Sequence, residues 1–278
     1  MSGFSFNSPL YVALLGADTM TAPPPPAGDP SLAAANLFIS EAAITDPGQQ
    51  SAIRALTSSL FSSGIWPKLR ALWPMVGGTI RAHSRNLKDP YDTDAAHRLT
   101  FPNGATFGPL GTDFNGTNQY ANTHLIVDNI SNAGLAYYHT EPATTYNDVC
   151  MGSYPGGSGS DFYMQIYNGG SNSVFTAGGN TYAIFATGPI GLLQGNSDGG
   201  VQLYRNGALL AAQGGGFMNS TILPVAIGGM MNGSEGNVTN FVNANCALAS
   251  INFAFTAADV TAFYNMVQQY QTALGRAV

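Results

Sequence analysis

The chain has few charged side chains and almost no positive charge after residue 99. Charged residues make up 9% of its 278 positions, against about 25% in a typical globular protein. The segment 100–278 contains two Lys or Arg residues, Arg205 and Arg276. Nucleic acids and anionic membranes are bound through several Lys and Arg side chains on one face. We therefore predict that the chain binds neither.

Long apolar runs are also missing. None approaches the ~20 residues that a membrane-spanning helix requires. The run at residues 9–16 is apolar but short, and no basic segment precedes it. We therefore expect no signal peptide, and either synthesis in a cytoplasm or export by another route.

Cysteine is scarce: the chain contains two, Cys150 and Cys246. Both lie in runs typical of β-strands, so a disulfide between them is one possibility. Two buried free thiols that pack as small hydrophobic groups are the favoured alternative.

Residues 1–45 are predicted to form an N-terminal arm and a proline-rich linker. The four prolines at 23–26 require an extended polyproline II conformation, which makes a stiff spacer. Terminal segments are ordered where something holds them. We therefore expect this arm to contact a neighbouring subunit, whereas the alternative is a floppy terminus.

Residues 46–97 are predicted to form a helical brace and connector. Asp46 is a suitable N-cap for a helix that begins at Pro47, and Gly64 suits the position just after its end. Pro67 is expected to open a second short helix that Pro74 ends. The two tryptophans of this segment either pack under the following domain, which we favour, or form an exposed interaction surface. The apolar residues of this segment include Ile53, Leu56, Leu60, Trp66 and Trp73.

From residue 98 to residue 278 the pattern is typical of a β-sandwich. Short apolar runs alternate with turns rich in Gly and Asn, and no repeat of fixed period is present. In the last run, Ala249, Ile251, Phe253 and Phe255 are expected to share one face. The candidate strands are residues 98–101, 119–122, 135–139, 149–153, 162–167, 174–177, 183–186, 201–205, 208–212, 224–227 and 248–255.

Asn206-Gly207 predicts a β-hairpin with a two-residue type I′ turn, because both positions of that turn need a positive φ. This turn places Val201 and Leu203 on a core-facing side. Arg205 is expected near the turn, where it reaches solvent or Asp198. The predicted pairs are Arg205 with Ala208, Tyr204 with Leu209, Leu203 with Leu210 and Val201 with Ala212.

One helix is predicted at the C-terminus. Thr256 is its N-cap, Asp259 lies at the third position, and Gly275 ends it. The apolar stripe of this helix consists of Val260, Phe263, Tyr264, Val267, Tyr270 and Leu274.

Catalytic signatures are missing from the sequence. Glycosidases need two carboxylates about 5–9 Å apart. One strand would supply them from acids two positions apart, but no two acids after residue 99 lie within six positions of each other. No nucleophile elbow and no phosphate-binding loop is present. We predict no catalytic residue and no cofactor. The acids are Asp113, Asp128, Glu141, Asp148, Asp161, Asp198, Glu235 and Asp259.

One acidic cluster lies between His83 and His97. Asp89, Asp92 and Asp94 supply oxygen ligands of the kind that bind a hard cation, but they lack the EF-hand spacing. A solvated loop is the favoured alternative, and zinc held by the two histidines is a weaker one. We therefore assign no metal ligand.

Tyrosine is the residue type best suited to recognition. Eleven of the thirteen tyrosines follow residue 99. Their rings provide rigid amphipathic contact area, and Asn, Ser and Gly provide adaptable hydrogen bonds, a combination that suits sugars. The alternative is that most of these rings are half-buried positions of the sandwich.

Three blocks carry a resemblance to a known family. They are Asn-Leu-Lys-Asp-Pro at 86–90, Asp-Phe-Asn-Gly-Thr-Asn-Gln-Tyr at 113–120 and Tyr-Arg-Asn-Gly at 204–207. With Ile-Gly-Gly at 227–229 and the C-terminal helix, they resemble the concanavalin A-like (laminin-G-like) jelly-roll domains of tailed-bacteriophage virion proteins. The resemblance covers about residues 50–278. The family's enzymes carry a glutamate-rich strand that this chain lacks, and no calcium ligand can be matched.

The resemblance implies a mainly β protein with a two-sheet antiparallel jelly roll, displayed on a virion that is assembled in the host cytoplasm. We expect a structural role as a capsid decoration, head fibre or tail fibre, with virion partners held by the arm and self-association into a homo-oligomer. The first alternative is a module that binds host-surface glycans. The second is a polysaccharide depolymerase.

Overall fold

Two large β-sheets, one small three-stranded sheet and a layer of helices make up the part of the chain that this computed structural model describes. That part comprises residues 28–143, 148–156, 160–167, 172–185, 190–214 and 220–278. The helices are Pro30–Glu41 (α1), Pro47–Ser62 (α2), Ile80–Ser84 (α3) and Ala257–Ala273 (α4).

The strands follow one another along most of the chain. They are Leu69–Trp73 (β1), Thr106–Gly108 (β2), Gly111–Asp113 (β3), Ala121–Asn122 (β4), Asn132–His139 (β5), Asp148–Tyr154 (β6), Phe162–Tyr167 (β7), Asn172–Ala177 (β8), Asn180–Phe185 (β9), Gly191–Asp198 (β10), Gly200–Arg205 (β11), Ala208–Gly214 (β12), Ala226–Ile227 (β13), Met230–Asn232 (β14), Val238–Thr239 (β15), Asn245–Cys246 (β16) and Leu248–Asn252 (β17).

The mainly β two-sheet sandwich predicted from the sequence is confirmed. The first sheet has the strand order β1-β17-β5-β10-β11-β12, and all its pairs are antiparallel. The second has the order β15-β14-β6-β7-β8-β9, and β13 pairs with both β6 and β4. The third, small sheet has the order β16-β3-β2. We expected every strand pair of the sandwich to be antiparallel. The β14–β6 pair is parallel, so this part of the prediction is wrong.

The main core lies between the two sheets. Trp73 and Leu135 from the first sheet meet Met151 and Phe175 from the second, and all four side chains are buried. Cys150 and Cys246 belong to the same cluster and are free thiols.

A second core lies between the first sheet and the helices. Phe38 of α1, Ile53 of α2 and Phe263 of α4 are buried against a face of the sheet that includes Tyr138 and Leu248. The helical segment therefore packs as the brace that the sequence predicts. The outer face of the first sheet is covered.

The second short helix between Pro67 and Pro74 is a wrong prediction. Residues Trp66–Lys68 form one 3-10 turn, and the chain then continues as β1, which pairs with β17. Leu72 faces the helices while Trp73 faces the other sheet. Because both faces of β1 are buried, its residues form a continuous apolar run that periodicity cannot distinguish from a buried helix. The segment 46–97 thus contributes a strand to the sandwich.

The predicted arm is partly a helix. Asp29 caps α1 by accepting hydrogen bonds from the backbone and hydroxyl of Ser31 at 2.8 and 2.7 Å, and Pro30 begins the helix. Ala35 and Phe38 are fully buried, so residues 30–41 belong to the helical layer and not to an extended linker. The prolines at 23–26 and the apolar run at 9–16 lie outside the described residues.

The hairpin at Asn206-Gly207 has the predicted turn but not the whole predicted register. Asn206 and Gly207 have φ values of 48° and 76°. The pairs nearest the turn are as predicted, and a bulge then shifts the register. A bulge adds one residue to one strand, so every later pair moves by one position. The shifted pairs are Leu203 with Ala211, Gln202 with Ala212 and Val201 with Gln213.

Arg205 is also not where the sequence predicts. Its side chain is buried between the sheets, and Nη2 donates to Ser173 Oγ at 2.8 Å. Arg205 is therefore buried rather than exposed, and this hydrogen bond goes to the second sheet rather than to Asp198. Burial lowers the pKa of Arg205 to about 10.

Most other strand predictions hold with shifted ends. Residues 98–101 are an exception, since they contribute only an isolated bridge from Thr100 to Asn122. The last strand ends at Asn252, so Phe253 is exposed and Phe255 packs under the helices. The C-terminal helix has its predicted Thr256–Asp259 capping box. Within the described residues, no helix combines the length and apolarity needed to cross a membrane.

Candidate functional site

The outer face of the second sheet is the candidate site. Cross-strand neighbours in the row Ala121, Ile227, Met151, Met164 and Phe175 all belong to the core between the sheets. Side chains alternate along each strand. The adjacent row therefore points to the opposite face. We call it the outer row; it consists of Thr100, Asn122, Ala226, Gly152, Tyr163 and Thr176.

None of the four described helices contributes to the small apolar cluster behind the outer row. That cluster is formed by loop and strand residues that include Tyr120, Ala226, Met231 and Val238. The first sheet, in contrast, is covered by α1, α2 and α4. The two sheets therefore differ in what lies on their outer sides.

Small residues occupy the middle of the outer row. Ala226 pairs with Gly152, and Gly152 pairs with Tyr163. A Cβ atom added to Gly152 would lie 2.2 Å from the Cβ of Tyr163, much closer than real atoms approach. Glycine is thus required for the tyrosine to occupy its position. Tyr154, two residues after Gly152, lies on the same face, and both rings are half-buried.

Polar groups lie at the other side of the small residues. Asn122 is 6% exposed, and its Nδ2 donates to Glu235 Oε1 at 3.0 Å. Its Oδ1 accepts from the backbone N–H of His124 at 2.9 Å. Burial, followed by the nearby Glu235 carboxylate, raises the pKa of Tyr120. Asn122 therefore holds an exposed carboxylate at the edge of the outer row.

Hydrogen bonds tie the loop that carries Glu235 to the sheet. The backbone N–H of Asn232 donates to the Asn237 carbonyl at 2.7 Å, and Asn237 Nδ2 donates back to the Asn232 carbonyl at 2.7 Å. The N–H of Gly233 donates to the carbonyl of Tyr154 at 2.9 Å. Glu235 and Tyr154 are thus positioned by the same strand.

Four members of the outer row, Asn122, Ala226, Gly152 and Thr176, are buried, so the accessible part of this face consists of the half-buried Thr100 and Tyr163 with the flanking Tyr154 and Glu235. Three strand spacings separate Asn122 from Tyr163, which corresponds to about 14 Å. Carboxylate, hydroxyl and phenol groups on this face can donate and accept hydrogen bonds. Tyrosine rings also offer an apolar face. Such a surface can hold a ligand that has both hydroxyl groups and apolar C–H faces.

The acids that follow residue 99 are distributed over the molecule. Asp128 pairs with Arg70 at 2.6 Å, and Asp259 pairs with Lys68 at 2.5 Å. Asp113 lies near another acid, Glu141. Burial, followed by the negative charge of Glu141, raises the pKa of Asp113.

The acidic cluster around Asp92 lies in a solvent-exposed loop, as the favoured interpretation predicts, and its carboxylates form ion pairs with arginines. Asp92 lies 2.6 Å from Arg85 and 3.0 Å from Arg98, and Asp94 lies 3.0 Å from Arg98. His83 Nδ1 makes a hydrogen bond of 2.7 Å with Thr112 Oγ1. Among the described residues, no group of three acidic, histidine or cysteine side chains could hold a metal ion.

Most tyrosines are structural, as the alternative interpretation predicts. After residue 99 the described side chains fall into a buried and a half-buried set, and those of Tyr146, Tyr167 and Tyr182 lie outside the description. The buried set is Tyr120, Tyr137, Tyr138, Tyr204 and Tyr270, and the half-buried set is Tyr154, Tyr163 and Tyr264.

Sequence reasoning missed Asn122, Glu235 and Gly152. Asn122 and Glu235 are 113 positions apart in the chain, and no local pattern links them. Gly152 lies in an apolar run where a glycine gives no sign of its cross-strand partner. The pairing of strands is what brings these residues together.

No family model matches the chain, and no curated protein matches it. Several solved structures resemble it at low identity. Domain 4 of AbnA, an extracellular arabinanase from Geobacillus stearothermophilus in complex with arabinotriose, is 14% identical over 70% of this chain and 98% of its own, with a TM-score of 0.47.

Two further structures cover the chain to a similar extent. The receptor-binding domain of botulinum neurotoxin type G is 13% identical over 71% of this chain and 51% of its own, with a TM-score of 0.43. The sialidase of Trypanosoma rangeli, in complex with a difluorinated keto-deoxy sugar acid, is 10% identical over 77% and 39%, with a TM-score of 0.47. This chain thus spans about half or less of these two. At such scores no activity or ligand is transferred, and the phage origin stays a prediction.

Proposed function

We propose that this chain binds glycans through the outer row and does not cleave them. The observation that carries the proposal is that the half-buried rings of Tyr154 and Tyr163 lie on the same face as Asn122 and the exposed carboxylate of Glu235 that Asn122 holds. Sugars present hydroxyl groups at their edges and C–H groups on their faces. The carboxylate matches the hydroxyl groups, and the rings match the C–H faces.

The low charge of the chain supports a ligand that is recognised mainly by neutral hydrogen bonds. Charged residues are 9% of the sequence, and the outer row itself contains none. Neutral hydrogen bonds contribute modestly one by one. Several sugar units bound along the row would therefore be needed for tight binding.

The test is binding of the full chain to an array of neutral and acidic oligosaccharides, followed by titration of the strongest binder. Tyr163→Ala is expected to weaken binding by about tenfold, because one aromatic anchor is typically worth about 1–2 kcal/mol. Tyr91→Ala is the matched control, since Tyr91 is 53% exposed and lies outside the outer row. Absence of binding to every glycan, or equal losses in both variants, would contradict the proposal.

The proposal of binding without cleavage has its own test. Incubation of the chain with the glycans that it binds is expected to release no new reducing ends. Release that is abolished by Asp113→Asn or Asp148→Asn would instead support the depolymerase alternative, because glycosidases depend on such carboxylates.

We further propose that the domain is displayed on a phage virion as a capsid decoration, head fibre or tail fibre. This rests on the resemblance of the blocks at 86–90, 113–120 and 204–207. Mass spectrometry of purified particles should detect the chain, and light scattering should show a homo-oligomer. A virion that lacks the chain would contradict this role and leave the glycan proposal in place.

A further inference from the structure

A groove rich in arginine adjoins the end of the outer row. It has a volume of about 660 Å³ and lies between the end of α1, the short helix α3 and the segment 98–101. Arg81, Arg85 and Arg98 line it, together with Thr100 and the acidic side chains of Glu41 and Asp92. Three of the nine Lys and Arg residues of the chain thus meet at this groove.

Arg85 is the buried member of the groove. Its side chain is 6% exposed, and Nη1 lies 2.6 Å from the carboxylate of Asp92. Its Nε has no hydrogen-bond partner in the part of the chain that the structure describes. A buried N–H group without an acceptor is unfavourable. Arg85 therefore has an unsatisfied donor within the wall of the groove.

Asp92 shows which chemical group suits this position. Its side chain is 59% exposed, and its carboxylate is shared by Arg85 and Arg98 at 2.6 and 3.0 Å. Hydrogen bonds from these two arginines lower the pKa of Asp92 to about 2. An exposed side chain thus supplies an oxyanion to the groove. The guanidinium fork is well suited to such planar or tetrahedral oxyanions.

Arg81 adds donors at the mouth of the groove. Its Nε donates to the carbonyl of Glu41 at 2.8 Å, which fixes the side chain along the end of α1. Arg81 itself is exposed. Its terminal nitrogens are therefore accessible to a ligand that enters the groove.

The groove begins at Thr100, the end member of the outer row. Thr100, which lines the groove, exchanges backbone hydrogen bonds of 3.1 and 2.9 Å with Asn122. Neighbouring strands are about 4.8 Å apart. A ligand that lies across Tyr163 and Asn122 can therefore continue directly into the groove.

We propose that the groove binds the acidic group, a carboxylate or a sulfate ester, of a glycan that lies along the outer row. The inference rests on the proposed function and narrows its ligand to acidic glycans. Arg85 and Arg81 bind the oxyanion, and Asp92 competes with it for the same donors.

The test uses the full chain and two small probes, methyl glucuronide and inorganic sulfate, titrated by calorimetry or by amide chemical shifts. Arg85→Met is expected to weaken the binding of both probes by at least about tenfold. Asp92→Asn removes the competing charge and is expected to strengthen binding by about fivefold. Arg54→Met is the matched control and should change neither, since Arg54 lies on α2 and bonds to Asn36.

Folding of each variant is checked by thermal unfolding. If Arg85→Met does not fold, Arg81→Gln replaces it, because Arg81 is exposed and the expected weakening is then about threefold. The strengthening by Asp92→Asn separates a binding role from a structural one, since loss of an ion pair alone would strengthen nothing.

The possible outcomes separate the two proposals. Glycan binding that depends on Tyr163 but is equal for acidic and neutral members, and unchanged in Arg85→Met, overturns the inference and leaves the proposed function intact. If the acidic probes bind through Arg85 but no glycan binds at the outer row, the proposed function is overturned. The acidic group that the groove binds would then not belong to a glycan. Absence of saturable binding to either probe overturns the inference.

Discussion

At the scale of single residues, Asn206 shows how one side chain meets two requirements. Its φ of 48° suits the type I′ turn, and its Oδ1 accepts the backbone N–H of Leu192 at 2.8 Å. We expect Asn206→Val to lower the free energy of unfolding by roughly 2–4 kcal/mol, because a β-branched residue is strained at positive φ and the buried N–H loses its acceptor.

Asn206→Asp is the control for this prediction. Aspartate tolerates positive φ and keeps the acceptor oxygen. Urea denaturation of both variants measures the difference. A valine variant as stable as the aspartate variant would show that neither the turn nor the hydrogen bond matters to the hairpin.

The residue scale also shows why the site was hard to predict. Tyr163 and Asn122 are ordinary residues in the sequence, and each gains meaning from a neighbour on another strand. The turn residues Asn206 and Gly207 were predictable because their constraint is local. Arg205, next to them, was not, because its partner Ser173 lies on the other sheet.

At the scale of elements, α4 holds the C-terminal part of the chain on the first sheet. Thr256 caps it: the hydroxyl accepts from the N–H of Asp259 at 3.2 Å, and Asp259 Oδ2 accepts from the N–H of Thr256 at 2.8 Å. Thr256→Ala is expected to lower the free energy of unfolding by about 1 kcal/mol.

Thr261→Ala on the same helix is the matched control. Its hydroxyl donates only to the Ala257 carbonyl within the helix, and alanine is the better helix former. Denaturation curves should therefore show no loss for Thr261→Ala. Equal losses in the two variants would indicate that the capping box is not what stabilises the helix.

Elements with local signals were predicted well, and those with distant partners were not. The helices at Pro47 and Thr256 have caps that the sequence displays. Strand β10 was missed because its run of Gln, Gly, Asn and Ser resembles a loop. In the structure Asn196 exchanges hydrogen bonds of 2.7 and 2.8 Å with the backbone of Phe255. A Cβ at Gly195 would meet the ring of Phe175. Both partners are remote in sequence.

At the scale of the whole molecule, two buried histidines make stability depend on pH. Burial, with Arg276 nearby, lowers the pKa of His83 to about 3, and burial lowers that of His139 to about 4, with Arg205 acting in the same direction. In the unfolded chain both bind protons near pH 6.5. Below that pH the unfolded state therefore binds more protons than the folded state.

The sign of the effect follows directly. Stability is full above about pH 6.5 and is lost as the pH falls toward 4, by at most about 1.4 kcal/mol per pH unit for each histidine. Denaturation at pH 7, 6 and 5 measures this slope. His83→Gln, whose side chain does not titrate, should show a shallower decline. The same slope in both proteins would show that His83 is not responsible.

At this scale the two sheets differ in what covers their outer faces. The central claim, that the outer row binds the ligand, depends on this difference. Helices occupy the outer side of the first sheet, and the outer row lies on the second. The amide chemical shifts of the full chain, recorded while the strongest-binding glycan is added, test this most directly. We predict changes centred on residues 120–122, 152–154 and 162–165 and on the loop 232–239. Changes confined to the helical layer would contradict the account.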